Sequence, residues 1–173
     1  MQEVIVRAET PEDVKAIDVV NLSAFQGDAE AQLVSAIRGS ADFIPDLSLV
    51  AEIGGRIVGH LLLSKVKLPR DGTNLTLLGL GPMSVVPSQS HRGIGSVLIQ
   101  AAIGRARDMR YTAIVVAGQP EYYARFAFQP AATWGLSSNL HLPPDGLTAM
   151  ELVPDALKGG GQVIYPAPFA ELF

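Results

Sequence analysis

The most informative stretch of the sequence is Val85 to Leu98, VVPSQSHRGIGSVL, in which a strand ends, a loop of small and polar residues follows, and a helix begins at Gly-Ile-Gly. Glycine lets the backbone approach an anion closely, and the free N–H groups of a helix N-terminus favour negative charge there. The stretch therefore predicts a phosphate-binding loop between a strand and a helix. Taken alone, Gly-x-Gly before a helix is also typical of an ordinary tight turn.

Two other phosphate-binding motifs do not fit this loop. A dinucleotide-binding fingerprint requires a third glycine shortly after Gly95, and Val97 and Leu98 stand there instead. A Walker loop requires Gly-Lys followed by Ser or Thr, which the chain lacks.

Upstream of the loop, the sequence predicts a strand, two helices and three further strands. Glu3 to Ala8 is a short β-branched run, and Thr10-Pro11 and later Asp28 mark helix starts. Glycine-containing turns at Gly54-Gly55 and Asp71-Gly72 separate extended runs, which predicts a three-stranded antiparallel meander.

The third strand of this meander contains residues that disturb a sheet. Gly79, Gly81 and Pro82 interrupt its ladder, and proline has no N–H to donate. We therefore expect a bulge or a parting of strands here, which would make room for a ligand.

Downstream of the loop, helical spacing runs from Gly93 to about Arg110, and Ala113 to Ala117 is an apolar run typical of a buried strand. This order implies a right-handed parallel crossover. The sequence then predicts a short helix at Glu121 to Phe126 and strands at Leu147 to Val153 and Gln162 to Tyr165.

Taken together, these elements predict that residues 1–173 form one α/β domain, whose mostly antiparallel mixed sheet carries helices on both faces.

Composition excludes several classes of protein. The 173 residues include 13 Lys+Arg, 17 Asp+Glu, 48% hydrophobic residues and no cysteine, with a net charge of −4. Such a chain can bury a core, and it offers neither a basic field for nucleic acid nor an apolar run that spans a membrane. No secretory leader precedes the first strand, so we expect a cytoplasmic protein. The three histidines form no recognisable metal set, and the mean hydropathy of +0.27 is compatible with a homodimer.

The arrangement resembles the GNAT superfamily of acetyl-CoA-dependent N-acetyltransferases, and within it the YhbS-like branch. The resemblance covers most of the chain and rests on four stretches: LGLGPMSVVPSQSHRGIGSVLI at Leu78 to Ile99, AGQPEYYARFAFQPA at Ala117 to Ala131, AFQGDAEAQLVSAIR at Ala24 to Arg38, and TAMELVPDALKGGGQVIYP at Thr148 to Pro166. It implies the GNAT fold, acetyl-CoA held between the fourth and fifth strands, and direct acetyl transfer to a primary amine of a small molecule or protein.

The resemblance also implies a set of cofactor-binding residues. The family loop reads Gln/Arg-x-x-Gly-x-Gly/Ala, and its first position is Ser90 in this chain. We therefore expect backbone N–H groups, together with Arg92, to bind the pyrophosphate. The residues implied are His91, Arg92, Gly93, Ile94, Gly95 and Ser96 in the loop, and Met83 and Val85 in the interrupted strand, where the Met83 N–H would polarise the thioester carbonyl.

A second family motif, aromatic-Tyr-x-x-x-Gly-Phe, matches Tyr122 to Phe128 with Ala127 in place of glycine. The resemblance implies that Tyr123 is the general acid that protonates the departing thiolate, whereas Tyr122 is expected to pack. An aromatic cap on the core is the alternative for both residues. Ala127 indicates that this turn does not require a positive φ.

The sequence defines the residues that bind the amine acceptor less clearly than those that bind the cofactor. Asp28 and Glu30 begin the second helix, in a region that forms part of the acceptor wall in related folds, so they are candidates for binding a cationic amine. Carboxylates also favour a helix N-terminus for dipole reasons alone. Candidates for the general base are Asp28, Glu30, Glu52, His60 and a bound water.

Two other functions stay open from the sequence. Ser90 and Ala127 leave room for a non-catalytic acyl-CoA-binding regulatory domain. The glycine loop alone is also compatible with a nucleotide-binding module.

Overall fold

The computed structural model describes residues 3–173. Its nine strands are β1 Val4–Ala8, β2 Phe43–Ile53, β3 Arg56–Arg70, β4 Thr73–Val85, β5 Ala113–Ala117, β6 Gln129–Pro130, β7 Leu136–Ser138, β8 Leu147–Glu151 and β9 Gly161–Val163. Its four α-helices are α1 Val14–Ala24, α2 Ala29–Arg38, α3 Ile94–Asp108 and α4 Pro120–Ala124, and 3₁₀ turns lie at Pro11–Asp13, Pro87–Gln89, Ala131–Thr133 and Ala167–Glu171.

Tight turns organise the main sheet as predicted. Gly54 and Gly55 both have positive φ, 58° and 79°, and join β2 to β3, while Gly72 at 76° joins β3 to β4. The sheet has seven strands in the order β1-β2-β3-β4-β5-β8-β6. β4 and β5 are parallel across the α3 crossover, and the other pairs in this sheet are antiparallel.

The sheet buries apolar side chains on both faces because side chains alternate along its long strands. Leu61 and Leu63 of β3 pack against α3, and the intervening Leu62 packs on the opposite face with α1 and α2. Gly59 allows α3 to approach β3 closely, since a Cβ there would lie 3.1 Å from Leu98 Cδ1. The helices on both faces, expected from the sequence, therefore hold a mixed sheet between two hydrophobic layers.

The prediction that Gly79 interrupts β4 was wrong. Gly79 is paired on both sides, with Ser64 of β3 and Val115 of β5. Its missing side chain serves packing instead, because a Cβ would lie 3.0 Å from Val66 Cγ1 and 3.1 Å from Tyr165 Cε2. Gly79 thus lets Tyr165 lie directly on the sheet.

The C-terminal part contains more strands than the sequence predicted. β7 and β9 form a separate two-stranded parallel sheet, and β6 adds a two-residue edge beside β8. These strands are two or three residues long and show no clear apolar alternation. Along the described chain, no helix is long and apolar enough to cross a membrane.

Candidate active site

The parallel strands β4 and β5 part at the point where the sequence predicted a break. Their pairing runs from Leu78 opposite Ile114 to Leu80 opposite Val116 and stops there. On the other side of β4 the register shifts between Leu61 and Leu63, because β4 has an extra residue at Gly81-Pro82. The result is an open gap bordered by the last residues of β4.

Two backbone amides of β4 point into this gap. Val86 N–H donates to the Val58 carbonyl at 2.8 Å, so the polar groups of Val86 face β3. Backbone polar groups alternate along a strand, and residues at odd intervals from Val86 face the other way. The N–H groups of Met83 and Val85 therefore face the gap that β5 has left.

The predicted phosphate loop lies beside this gap. His91 and Gly93 have positive φ, 66° and 78°, and turn the chain into α3. The first intrahelical bond runs from Val97 N–H to the Gly93 carbonyl at 3.1 Å. The amides of Ile94, Gly95 and Ser96 precede that bond and are placed to meet an anion.

Loop, helix start and gap enclose a cavity of about 490 Å³, the loop cavity, whose lining includes Met83, Val85, Ser90, His91, Gly93, Ile94, Gly95, Ser96, Tyr122 and Arg125. Seven of the eight predicted cofactor-binding residues contribute to this wall, and the eighth, Arg92, is exposed outside it. Ser90 Oγ donates to the Pro87 carbonyl at 2.8 Å, so this side chain is engaged within the loop.

Four residues of this wall were not predicted to bind the cofactor: Gln89, Ser90, Tyr122 and Arg125. Tyr122 was expected to pack, yet it lines the loop cavity, and a Cβ on Gly95 would lie 2.8 Å from its hydroxyl oxygen. The Arg125 guanidinium lies over the Tyr122 ring, 5.3 Å from its centroid. Arg125 is therefore a second arginine beside the predicted loop, in addition to Arg92.

A second cavity of about 270 Å³ lies on the other side of Met83, which lines both. We call it the acceptor cavity. Its lining comprises Phe25, Glu30, Leu33, Leu80, Gly81, Pro82, Met83, Ala117, Gly118, Gln119, Tyr123, Tyr165, Phe169, Leu172 and Phe173. The contribution of the C-terminal residues was not predicted, since no local motif marks them.

Tyr123 lines the acceptor cavity and is 6% exposed. Its ring packs edge-on against Tyr122 and Phe128, with centroid distances of 5.2 and 5.7 Å. Burial, with a smaller contribution from Tyr122, raises the pKa of the Tyr123 phenol. Tyr123 thus packs in the core and also lines the cavity with a protonated phenol. The two interpretations from the sequence, an aromatic cap on the core and a proton donor, are therefore compatible.

The two carboxylates predicted for amine binding lie in different settings. Glu30 lines the acceptor cavity. Asp28 is exposed outside it and accepts a hydrogen bond from Gln32 Nε2 at 2.7 Å. The two carboxylates are two residues apart, about half a helical turn, so one faces the cavity and the other faces away.

The other candidate bases lie away from both cavities. Glu52 is paired with Arg7 on β1 and β2. His60 is fully buried, with Nε2 at 3.0 Å from Ser48 Oγ, and burial with a smaller contribution from Arg38 lowers its pKa to about 3. A neutral, enclosed imidazole of this kind has a structural role in β3.

The turn after α4 differs from the sequence prediction. Ala127 has φ 72°, in the left-handed region that glycine adopts most readily. The inference that alanine removes the need for positive φ was therefore wrong. Ala127 N–H donates to the Ala124 carbonyl at 3.1 Å, and the chain keeps the turn despite the extra methyl group.

Comparison with known proteins identifies this arrangement. A family model described as the acetyltransferase (GNAT) domain matches residues 6–131. The chain belongs to the GNAT family of acetyltransferases. The family membership and N-acetyltransferase activity predicted from the sequence are confirmed.

Two curated Escherichia coli K12 proteins are similar to this GNAT chain. The uncharacterized N-acetyltransferase YhbS is 30% identical over 156 residues, which are 90% of this chain and 91% of YhbS. The uncharacterized N-acetyltransferase YjhQ is 32% identical over 120 residues, 69% of this chain and 66% of YjhQ.

Two crystal structures share the GNAT fold described above. E. coli YhbS in complex with CoA has a TM-score of 0.88 and 28% identity, over 98% of this chain and 93% of that one. A GNAT acetyltransferase from Brucella melitensis in complex with acetyl-CoA has a TM-score of 0.78 and 28% identity, over 98% and 99%. The predicted fold is confirmed.

Proposed function

We propose that this N-acetyltransferase uses acetyl-CoA and transfers its acetyl group directly to a primary amine, with Met83 and Tyr123 as catalytic residues. The observation that carries the proposal is the position of Met83 between the two cavities. Its amide faces the gap, the loop cavity lies on one side of it, and the acceptor cavity with Tyr123 lies on the other. The CoA and acetyl-CoA complexes of the two similar structures support the same cosubstrate.

The residues of the loop cavity fit acetyl-CoA. Helix-start amides and Arg125 suit a pyrophosphate, which accepts hydrogen bonds from backbone N–H groups and carries negative charge. The Met83 and Val85 polar groups suit the amides of a pantetheine chain, which can lie along β4 as an added strand would. Bound there, acetyl-CoA supplies an acetyl group activated as a thioester.

Two groups of the chain favour the transfer. The Met83 N–H stabilises negative charge that develops on the carbonyl oxygen, because a fixed backbone donor requires no reorganisation. The phenol of Tyr123 donates its proton, or a hydrogen bond, to the departing sulfur. Its raised pKa keeps that proton in place until the sulfur becomes basic.

The bonds and protons balance without a covalent enzyme intermediate. The amine nitrogen forms a bond to the carbonyl carbon while the carbon–sulfur bond breaks. The entering ammonium loses one proton to solvent to become the neutral amine, and its nitrogen loses a second proton to solvent as the amide forms. The sulfur gains one proton through Tyr123, which is reprotonated by solvent, so one proton is released overall. Glu30 lines the acceptor cavity and is the carboxylate placed to bind the amine as it enters.

A melting experiment tests cosubstrate binding. Ligands that bind only the native state raise the melting temperature by mass action. We expect a shift with acetyl-CoA and with CoA, and none with ATP or NAD at equal concentration. Equal shifts with all four would indicate a nucleotide-binding module, and no CoA-specific shift would refute the assignment of the loop cavity.

A further inference from the structure

The acceptor cavity has an uneven chemistry that bears on the identity of the amine. Its wall is mostly aliphatic and aromatic, with Phe25, Leu33, Phe169 and Leu172 among its members. Among the described residues that line it, Glu30 alone has a charged side chain. A ligand that fills this cavity therefore meets one charged side chain, the polar groups of Gln119, Tyr123 and Tyr165, and an otherwise mostly apolar surface.

Two oxygen atoms in this wall have no hydrogen-bond partner among the described residues. They are Oε1 of Glu30 and the hydroxyl oxygen of Tyr165, and both are buried. A buried polar atom without a partner costs free energy, so a native site commonly satisfies it with water or a ligand. An ammonium group, with three donors, matches the carboxylate oxygen.

The wall that carries Tyr165 is held firmly. The Tyr165 N–H donates to Asn139 Oδ1 at 2.9 Å, and its carbonyl accepts from Asn139 Nδ2 at 3.2 Å. The Tyr165 ring lies against Gly79 on one side and packs on the Phe169 ring, 5.0 Å between centroids. A wall fixed by backbone bonds and ring packing selects ligands by shape as well as by charge.

From these observations we infer that the acceptor is a primary amine on a small, uncharged, apolar body, such as an arylalkylamine or alkylamine, whose ammonium group Glu30 binds on entry. The inference rests on the proposed function, since it concerns the second substrate of the same reaction. The cavity volume of about 270 Å³ lies near the lower end for ligand sites, which favours a small body.

The same wall disfavours other amines. A carboxylate on the acceptor, as in a free amino acid, would be buried near Glu30 without a cation to pair with it. A second ammonium, as in a diamine, would be buried against aromatic and aliphatic side chains without a carboxylate partner. Both groups would have to leave water without compensation.

Two matched pairs of amines test the inference with the full chain. 2-Phenylethylamine and L-phenylalanine differ by one carboxylate, and n-butylamine and 1,4-diaminobutane differ by a second amine. The rate of CoA thiol release from acetyl-CoA gives kcat/KM for each. We expect the first member of each pair to be preferred on the order of 100-fold, since an uncompensated buried charge is strongly disfavoured.

Substitution of Glu30 tests its role separately. Glu30→Gln is expected to raise KM for 2-phenylethylamine roughly tenfold, about the effect of losing one charge-assisted hydrogen bond. The variant should also lower the ratio of kcat/KM for 2-phenylethylamine to kcat/KM for L-phenylalanine. A merely structural role of Glu30 would leave that ratio unchanged. Glu171→Gln removes an equal charge from the neighbouring C-terminal 3₁₀ helix, outside the cavity, and is the matched control.

The outcomes separate the two proposals. If acetyl-CoA raises the melting temperature but only amino acids, diamines or peptides are acetylated, or no amine is, the acceptor class is wrong and the cosubstrate site stands. If acetyl-CoA produces no shift, the proposed function itself fails. An unchanged selectivity in Glu30→Gln would remove Glu30 from acceptor binding, and the amine series on the wild-type chain is independent of how that variant folds.

Discussion

The hydroxyl oxygen of Tyr122 lies 2.8 Å from the point where a Cβ on Gly95 would stand. Tyr122 belongs to the short helix α4, and Gly95 belongs to the first turn of α3. The absence of a side chain at Gly95 thus lets an aromatic side chain and a helix N-terminus form one wall of the loop cavity. This contact joins the two family motifs that are separated along the chain.

Gly95→Ala is expected to weaken acetyl-CoA binding. The methyl group would displace the Tyr122 hydroxyl, which is the free end of a flexible side chain, so the fold should survive while the wall of the cavity moves. We expect roughly a tenfold rise in Kd for acetyl-CoA, about 1.4 kcal/mol, measured by titration calorimetry.

Gly104→Ala is the matched control for that variant. Gly104 lies in the same helix, and a Cβ there would have open space within 4 Å. Alanine should stabilise α3 by about 1 kcal/mol through helix propensity and leave acetyl-CoA binding unchanged. Equal affinities in the two variants would show that the contact between Tyr122 and Gly95 does not shape the binding site.

Ala127→Gly is expected to stabilise the protein. Ala127 holds a φ of 72°, which costs an L-amino acid about 1 kcal/mol relative to glycine. Urea denaturation should therefore show a gain of about that size. In Ala124→Gly, three residues earlier in α4, the same exchange should destabilise by up to about 1 kcal/mol, because Ala124 is helical. A loss of stability in both variants would contradict the strain at Ala127.

Local sequence chemistry was sufficient to predict most of the fold. The turn at Gly54-Gly55, the parting of strands at Gly81-Pro82 and the helix that follows Gly93 each depend on what those residues allow the backbone to do. Such constraints act within a few residues, so they can be identified from the sequence without knowing the rest of the fold.

The missed parts of the site depend on long-range packing. Tyr165 reaches the acceptor cavity because Gly79, more than 80 residues earlier, leaves space on the sheet. Arg125 lines the loop cavity because α4 lies beside the start of α3, with the Tyr122 hydroxyl close to Gly95. Neither relationship produces a local pattern, so only the assembled structure reveals it.

Acid should destabilise the protein through His60. The buried imidazole has its pKa lowered to about 3, whereas in the unfolded chain it titrates near 6.5. Between these values the unfolded state binds a proton that the folded state does not, so stability falls as pH falls from 6.5 towards 3. The expected slope from this residue is at most about 1.4 kcal/mol per pH unit.

Urea unfolding at pH 7.5, 6.5, 5.5 and 4.5 would measure that slope. His60→Gln should reduce the slope of the unfolding free energy against pH by up to about 1.4 kcal/mol per pH unit, the contribution of one proton. This reduction is expected whatever the variant's stability at neutral pH. His141→Gln, at an exposed histidine, serves as the control and should leave the slope unchanged. Identical slopes in all three proteins would show that His60 does not bind its proton on unfolding.

The most direct test of the proposed mechanism is the turnover of Tyr123→Phe. With the best acceptor of the amine series, we predict a fall in kcat of roughly 100-fold or more, the usual contribution of a positioned acid. Phenylalanine keeps the ring packing against Phe128, so the melting shift with acetyl-CoA should be retained. The control is Tyr111→Phe, outside both cavities, which should match the wild-type chain in kcat and in the melting shift. An unchanged kcat in Tyr123→Phe would contradict the assignment of Tyr123 as the proton donor to the departing sulfur.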